Sequence, residues 1–507
     1  MDSFAPPPSL AWRRSSTEQG VWERGTDEVE DAYATWEILY ESTTGMFFAI
    51  TGHISLTFPK LDGASSDAGS AIDDAIRKAW TALRYDHPTI ASETVVRSDG
   101  QFSKVYKTLE TGDELQEWLD RTVVDATGFE TGADFANSRP PSPTSPTLFV
   151  VSTPSKQGQL RRDIVLRSPH SIIDGIGTLL LLGNLVTYIR RAIEEDSSFA
   201  PPALDGSETQ NLSPPYRSAA GLPATPSEMV QRRLAELAAP AASGEDKSKP
   251  RTLAIPYRSG SMEPGVPKRT ALMFSEEETS VLRQRCRDLQ ATPTHAFHAA
   301  IPLAIRDLQA RGQGEQTVRY TGYILRNERA SCREPYNTAQ HPATLYHSTS
   351  SSGLHIDVTL PAAGSADPDV KSEFSRILVR MRDYYHSVRD DAGHAMLVPY
   401  LWKNITKPSS AYKNRPCPIP PPDESPSVSI SSMGELDRVI PPDQGVVRVY
   451  DPWVTGEELR SGLGLFLGTY RGELCLSAVY NEAWQSEEGT REFLEACKRI
   501  VLGGLGI

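Results

Sequence analysis

The sequence has few cysteines, and none of them stand close enough together to suggest a cross-link or a metal site. The five cysteines are widely spaced, and no two form a C-x-x-C pair. Disulfide scaffolds and structural zinc sites need even numbers or closely spaced cysteines. The composition therefore excludes both classes and is typical of reduced thiols, so we expect a cytoplasmic protein.

An excess of basic residues and long hydrophobic runs are also missing. The 52 Lys and Arg residues are outnumbered by 65 Asp and Glu residues, and the net charge is −13. Because nucleic acids and anionic membranes are bound through basic faces, we predict neither as a partner. No signal peptide is visible, and the most apolar window, 176–186, is about half the length that crosses a bilayer. We expect a soluble monomer that binds small molecules.

Several common catalytic motifs are absent as well. There is no G-x-S-x-G pentapeptide, which disfavours an α/β-hydrolase. His295 and His298 stand three apart on a predicted helix, but no Cys, Asp or Glu completes a ligand set, so we predict no metal. The histidines of a Ser/Thr-rich loop, His347 among them, are assigned no role.

The most informative stretch that is present is a H-x-x-x-D-G motif running from His170 to Gly175. It follows a strand-like run at 163–167 and precedes a leucine-rich segment at 176–189. Histidine suits general-base catalysis because its unperturbed pKa of about 6.5 lies near working pH. A carboxylate four residues later and a glycine after it would hold such a base rigidly. The motif predicts a transferase that deprotonates a nucleophile with His170.

The length and the distribution of elements predict two lobes. A chain of 507 residues exceeds one ordinary core. Residues 201–268 are rich in Pro, Ser and Gly and separate two halves that share a strand, helix and strand pattern. We predict an N-terminal lobe at 1–200, a crossover at 201–268 and a C-terminal lobe at 269–507. The mixture favours an α/β (α+β) fold over a bundle or a sandwich.

Periodicity and capping signals give the individual elements. Helices are predicted around 72–86, 114–122, 177–194, 228–237, 293–310, 369–387 and 487–501. A further helix is predicted after Ser275, its N-cap, with three glutamates in the first turn. Strands are predicted at 53–58, 93–96, 148–152, 163–167, 269–274, 317–325, 428–431, 446–449, 463–470 and 473–480.

Five stretches, taken in order, resemble the chloramphenicol-acetyltransferase-like superfamily, which includes plant and carnitine acyltransferases, condensation domains and fungal trichothecene O-acetyltransferases. They are the L-x-x-x-H-P end of the first amphipathic helix at 82–88, the H-x-x-x-D-G motif, and the segments 291–300, 429–434 and 474–484. The length, the Pro/Ser-rich insertions and Pro169, where condensation domains usually carry a first histidine, place the resemblance nearest the trichothecene O-acetyltransferases. The D-F-G-W-G element of plant acyltransferases is absent.

The resemblance implies two similar lobes with a tunnel between them and His170 at its middle. An acyl-CoA, with acetyl-CoA as the leading candidate, would enter as co-substrate from one face of the tunnel. The acceptor would enter from the other face, and no bound cofactor is expected.

It also suggests roles for the residues around the base. Asp174 could orient His170 directly, but the resemblance implies that its side chain points away from the tunnel and pairs with an arginine. Arg326, at the end of a predicted strand, is the candidate partner. Gly175 would allow the backbone to turn. Ser431 and Ser432 are the candidate donors to the oxyanion of the tetrahedral intermediate.

We therefore predict an O-acyltransferase that moves an acyl group from a CoA thioester to a hydroxyl of a secondary metabolite such as a fungal terpenoid. Acetyl is the leading candidate for the acyl group. One alternative is a standalone condensation-like enzyme that forms an amide or ester from a carrier-protein thioester. Another is a non-acylating cyclase that uses the same tunnel.

Overall fold

Helices and strands alternate along the whole chain. The computed structural model describes residues 7–59, 68–154, 160–238, 250–258, 263–405 and 427–507. The segments 239–249 and 259–262 of the predicted crossover lie outside the described residues. The helices are α1 (Glu28–Thr44), α2 (Ala68–Asp86), α3 (Gly112–Thr122), α4 (Gly132–Ala136), α5 (Gly175–Glu195), α6 (Tyr216–Ala219), α7 (Glu228–Ala238), α8 (Glu276–Asp288), α9 (Pro293–Asp307), α10 (Val370–Arg389), α11 (His394–Ile405) and α12 (Glu487–Leu505).

The strands are distributed over both halves of the chain. They are β1 (Arg13–Arg14), β2 (Val21–Gly25), β3 (Ala49–Thr57), β4 (Ser92–Val96), β5 (Phe102–Lys107), β6 (Val123–Asp125), β7 (Thr147–Pro154), β8 (Leu160–Pro169), β9 (Arg251–Thr252), β10 (Pro267–Met273), β11 (Gln316–Gly322), β12 (Leu325–Asn327), β13 (His347–Thr349), β14 (Leu354–Leu360), β15 (Val428–Glu435), β16 (Asp443–Gln444), β17 (Val447–Gly456), β18 (Leu463–Tyr470) and β19 (Glu473–Asn481).

The N-terminal lobe is built on a six-stranded sheet in the order β16-β17-β3-β8-β7-β6. Helices α2 and α5 cover one face, and the short α4 packs on the other. Because both faces are covered, β8 is almost entirely buried and its middle is apolar. The apolar residues whose spacing predicted α2 form the face that this helix buries. The helix ends at Asp86, just before His87 and Pro88, because a proline cannot continue it.

The C-terminal lobe contains a four-stranded sheet in the order β10-β19-β18-β15 and a three-stranded sheet in the order β14-β11-β9. Helices α8, α9, α10 and α12 pack around them and share one core. Ser275 caps α8 as predicted, and Glu278 completes a capping box with it. The predicted mixed α/β fold is confirmed.

One strand of the predicted C-terminal lobe belongs to the sheet of the N-terminal lobe. Strand β17 lies within the predicted C-terminal lobe but pairs antiparallel with β3 of the N-terminal sheet. It is longer than the predicted strand at 446–449 because this pairing continues past a register shift between Tyr450 and Trp453. Pro452 lies in that shift, where its missing N–H breaks no ladder hydrogen bond. Residues 443–456 therefore return to the first lobe and connect the two.

Besides the short α4 and α6, two longer helices of the described residues were not predicted. Helix α1 begins at a capping box of Asp27 and Glu30. This signal is present in the sequence, but it lies among other acidic residues and was not recognised as a cap. Helix α11 contains Pro399, which argues against a helix locally. Both pack beside the H-x-x-x-D-G loop, where tertiary contacts outweigh local propensity.

By length and composition alone, Gly175–Ser198 would pass for a membrane-spanning helix. Its leucines, however, pack into the core of the N-terminal lobe. A buried core helix passes the same test, so the finding is weak evidence for a membrane span.

Candidate active site

His170 lies at the end of β8, facing a cluster of aromatic rings. Its backbone N–H donates to the carbonyl of Phe48 over 3.0 Å. Its imidazole packs against the rings of Tyr33 and Phe48, at centroid distances of 4.5 and 5.0 Å. Only 9% of the residue is exposed. The strand end and the two rings thus hold the imidazole in one place.

This environment keeps the His170 ring neutral. Burial lowers its pKa to about 4, and the nearby His347 contributes in the same direction. The nearby backbone of His170 and Ile173 and the negative charge of Asp174 oppose this lowering of the pKa only partly. Among the described residues, Nδ1 has no hydrogen-bond partner of good geometry. A neutral imidazole is the form that can accept a proton.

The other ring nitrogen faces a glycine. A Cβ placed on Gly456, at the end of β17, would lie 3.4 Å from Nε2 of His170. Glycine therefore keeps side-chain atoms away from the basic nitrogen at the point where β17 passes it. A side chain at position 456 would contact Nε2, the nitrogen that a substrate hydroxyl would have to reach.

Asp174 faces away from His170 and organises the loop. It caps α5 by accepting from the N–H of Gly177 over 2.7 Å, and it also accepts from the N–H of Tyr346 over 2.9 Å. Both of its oxygens receive Nη1 of Arg329 at 3.0 Å. Burial would raise the pKa of Asp174, but Arg329 and His347 outweigh it and hold that pKa well below its usual range. The predicted pairing with an arginine is present.

The arginine, however, is Arg329 and not Arg326, so that prediction was wrong. Arg326 lies within the short strand β12 and pairs with Glu328, with Nε 3.0 Å from Oε1, while also donating to the carbonyl of Val388. Arg329 lies in the turn that follows, where the chain folds back toward the start of α5. The sequence Arg-Asn-Glu-Arg contained both residues, and only the turn after the strand decides between them.

Gly175 also plays a lesser part than predicted. Its backbone is not in the left-handed region, and a Cβ there would meet only ordinary contacts, the nearest at 3.7 Å from Met433. The tight position is Gly177, where a Cβ would fall 2.1 Å from the carbonyl oxygen of Pro342. Close packing of α5 against the 342–346 segment, and not a turn at Gly175, is what requires glycine.

The two candidate oxyanion donors point to opposite sides of β15, because successive strand residues alternate. Ser431 is buried, on the side of the strand opposite the core residue Ile430. Ser432 is exposed and its Oγ accepts from Thr294 of α9 over 2.8 Å. Ser432 is therefore an acceptor from a helix of its own lobe, and its role as an oxyanion donor stays a prediction. Ser431 stays a prediction.

Two charged residues that the sequence analysis missed hold the peptide groups just after His170. The Ser171 N–H donates to Oε1 of Glu37 over 2.6 Å, and Nζ of Lys104 donates to the Ser171 carbonyl over 2.8 Å. Burial raises the pKa of Glu37 to about 7 and lowers that of Lys104 to about 8. Neither residue lies in a motif, and no local pattern in the sequence marks either of them.

His347 was assigned no role, yet it lies beside the base. Its ring centroid is 6.3 Å from that of His170, and its Nε2 hydrogen-bonds the Tyr33 hydroxyl over 2.8 Å. Its Nδ1 is 3.8 Å from Asp174. His347 thus connects the aromatic wall around His170 to the carboxylate that organises the loop.

Comparison with known proteins shows which proteins this chain is similar to in sequence and in fold. No protein-family profile matches the chain. The O-acetyltransferase pigM of Monascus ruber is 24% identical over 503 residues, covering 97% of this chain and 87% of that protein. The acetyltransferase pigO of the same organism is 23% identical over 436 residues, covering 85% and 86%.

Solved structures share the fold over almost the whole chain. Trichothecene 15-O-acetyltransferase from Fusarium sporotrichioides superposes with a TM-score of 0.77 at 17% identity, covering 98% of this chain and 99% of that one. The first condensation domain of the CDA synthetase follows at a TM-score of 0.56 and 14% identity, covering 95% and 96%. The chain therefore shares the fold of these acetyltransferase and condensation-domain structures, and its sequence is similar to the two fungal acetyltransferases.

Proposed function

We propose that this protein is an O-acyltransferase that moves an acyl group from acyl-CoA to a hydroxyl of a secondary metabolite, with acetyl as the leading candidate. The observation that carries the proposal is the buried His170 at the end of β8, whose low pKa keeps the ring neutral and whose Nε2 faces Gly456, a residue without a side chain. The names of the two Monascus relatives support acetyl transfer. The trichothecene acetyltransferase supports a terpenoid-like acceptor.

In the proposed reaction, Nε2 of His170 takes the proton of the acceptor hydroxyl while its oxygen attacks the thioester carbonyl. The tetrahedral intermediate collapses, the C–S bond breaks, and the departing thiolate takes the proton back from the imidazolium. Such base catalysis contributes roughly 10²–10⁴-fold. The oxyanion is assigned to Ser431, a role for which donors contribute about 3–4 kcal/mol.

The other residues of the loop act on the position of His170. Asp174 and Arg329 attach the loop to the 342–346 segment, and Glu37 and Lys104 hold the peptide groups after the base. The proposal needs no metal, no resident cofactor and no covalent enzyme intermediate. We propose a cytoplasmic monomer as the working form.

Condensation and epimerisation domains share this fold, so the fold alone leaves other chemistries open. The acetyltransferase relatives, which match across most of the chain, favour acyl transfer over cyclisation. A carrier-protein donor is the alternative that an assay must separate from CoA.

The test incubates the purified protein with a panel of acyl-CoAs and candidate terpenoid alcohols, and follows release of the free thiol. His170→Ala should lose activity by orders of magnitude, whereas His355→Ala, an exposed histidine on β14, should not. Activity that survives in His170→Ala would contradict the base assignment. Activity with an acylated carrier protein but not with any acyl-CoA would contradict the donor.

A further inference from the structure

A row of polar side chains crosses the small sheet β1-β2-β5-β4 on a buried face. Arg24 of β2 and Thr94 of β4 are the direct cross-strand partners of Lys104 on β5. Because residues directly opposite each other on neighbouring strands share a face of the sheet, the three side chains lie side by side. Arg24 and Lys104 are only 2% and 1% exposed. Two neighbouring cations in the interior are costly unless their charges are balanced and hydrogen-bonded.

Helix α1 supplies the balancing charge, but it serves the two cations unequally. Glu30 receives Nη1 and Nη2 of Arg24 at 2.6 and 2.7 Å, which is a complete two-pronged contact. The same carboxylate lies 3.9 Å from Nζ of Lys104, too far for a hydrogen bond. Arg24 is therefore satisfied by Glu30, whereas the N–H groups of Lys104 are directed elsewhere.

Lys104 donates to the loop that carries the base. Its Nζ is 2.8 Å from the carbonyl oxygen of Ser171, the residue that follows His170. Thr94, the next member of the row, has its Oγ1 3.5 Å from Oγ of Ser171. A hydrogen bond from an ammonium to a carbonyl is charge-assisted and about twice as strong as one between neutral groups. Since apolar residues often replace buried charges without loss of stability, we attribute this buried charge to its action on the loop.

Burial brings the ionisation of Lys104 close to neutral pH. It lowers the pKa of the ammonium to about 8. The charged groups that face the ammonium come from α1 with its N-cap and from β2. Glu30, Glu37 and Asp27 raise the pKa of Lys104, and Arg24 lowers it. Its neighbours on β4 and in the loop are hydroxyl residues.

We infer that Lys104 is a positioning residue for the proposed reaction, and that it holds the loop of His170 in its active position only while the ammonium is charged. The inference rests on the proposed function, because it takes His170 as the base. When Lys104 loses its proton, the bond to Ser171 loses its charge assistance, the loop opens more often and turnover falls. The row of polar residues thereby sets an alkaline limit to the reaction.

The stability of the fold should change in the opposite direction over the same pH range. An unperturbed lysine has a pKa of about 10.4. Between about pH 8 and pH 10 the unfolded chain therefore holds the proton of Lys104 more tightly than the folded chain does. The contribution of Lys104 to the free energy of unfolding rises with pH in this range. Unfolding caused by Lys104 would thus not explain a loss of activity there, which separates positioning from stability.

The first test is the pH profile of kcat/KM, measured on the full chain with acetyl-CoA and the alcohol that responds in the acceptor panel. Wild type should lose activity several-fold above about pH 8. Lys104→Met should have a kcat about tenfold lower, a KM little changed and no alkaline limb. Glu37→Gln should move the limb to lower pH, because it removes a negative charge that favours the ammonium. Lys107→Met is the matched control, since Lys107 lies on the same strand with its side chain 59% exposed.

The second test needs no substrate. Hydrogen–deuterium exchange of the peptide that contains the H-x-x-x-D-G motif reports opening of the loop, because the N–H groups of His170, Ser171 and Asp174 are all hydrogen-bonded. At equal pH, Lys104→Met should exchange about tenfold faster than wild type in this peptide, and Lys107→Met at the wild-type rate. Lys104→Gln, which keeps a neutral donor, should be intermediate and replaces Lys104→Met if that variant does not fold.

Two results would overturn the inference. One is exchange at the wild-type rate in the Lys104 variants, and the other is an alkaline limb that persists in them. Failure of the proposed function is a different result: no variant would then transfer an acyl group, while the difference in exchange between Lys104→Met and Lys107→Met would remain.

Discussion

The two ends of the H-x-x-x-D-G loop are both buried, yet they are bonded in opposite ways. At one end, among the described residues, His170 has Nδ1 without a hydrogen-bond partner, and its Nε2 faces Gly456, which has no side chain. At the other end, Asp174 accepts from two backbone N–H groups and from Arg329. Burial lowers the pKa of His170. At Asp174 burial would raise the pKa, but the neighbouring positive charge outweighs burial and lowers it.

The difference teaches how one short loop can serve both chemistry and architecture. A base must keep a lone pair available, so its hydrogen-bonding capacity is left unused at a cost in stability. A carboxylate that anchors a helix must have that capacity filled. The loop therefore predicts separable effects: changes at His170 should affect turnover, and changes at Asp174 should affect folding.

The largest effect should come from replacing the base. We expect His170→Gln to lower kcat/KM by roughly 10²–10⁴-fold, because the amide that replaces the imidazole cannot take the proton. The midpoint of urea unfolding should stay within the error of wild type or rise, since the ring gives up little bonding. A large loss of stability together with activity would remove the distinction between the two ends.

The next largest effect should appear in stability at the other end. Arg329→Met leaves Asp174 charged and buried, which costs about 3–5 kcal/mol when one partner of a buried pair is removed. Asp174→Asn should cost a comparable amount, and the double variant should cost clearly less than the sum. Denaturant unfolding measures all three.

A surface pair on the same helix provides the control. Arg190 and Glu194 form an i, i+4 ion pair on α5, with side chains 32% and 34% exposed. Glu194→Gln should change stability by no more than about 0.5 kcal/mol. If Asp174→Asn were equally mild but abolished turnover, Asp174 would belong to the chemistry after all.

How much of this was readable from the sequence differs between the two ends. His170 and Asp174 belong to a local motif, and the helix after them follows from its leucine spacing. Arg329, Glu37 and Lys104 reach the loop from distant parts of the chain, and no local pattern marks residues that meet only through folding. The choice of Arg326 failed because strand alternation and the following turn, not proximity in sequence, decide which guanidinium faces α5.

The pH dependence of activity would show whether the base is as buried as its contacts indicate. With a pKa of about 4, His170 stays neutral and active well below the 6.5 of a free histidine. The acid limb of kcat/KM should therefore lie near pH 4 to 5. Because Glu37 titrates near 7, the profile is compared in wild type and Glu37→Gln. A limb at about 6.5 in both would mean an exposed ring.

The same shift has a consequence for stability. The folded pKa of His170 lies below its unfolded value, so the unfolded chain binds the proton more readily. This contribution to stability is complete above about pH 6.5 and declines as pH falls toward 4. His170→Gln should remove that decline, which unfolding measured at several pH values would reveal.

A smaller effect on stability and turnover is expected from Glu37, which lies outside the loop and accepts a hydrogen bond from it. Glu37→Leu leaves the Ser171 N–H without its acceptor and should cost about 1–3 kcal/mol, with a loss of turnover. Glu37→Gln keeps an acceptor oxygen and should restore most of both. Equal losses in the two variants would mean that the charge of Glu37, and not its hydrogen bond, acts on the base.

The smallest effect should follow from Tyr33→Phe, which keeps the ring against His170 and removes only the hydroxyl bonded to His347. Loss of one hydrogen bond costs about 0.5–1.5 kcal/mol. We expect a modest fall in stability and little change in kcat/KM, because the burial that keeps His170 neutral remains. A loss of turnover as large as that of His170→Gln would place the Tyr33 hydroxyl in the proton transfer, and His170 would no longer be the lone base of the loop.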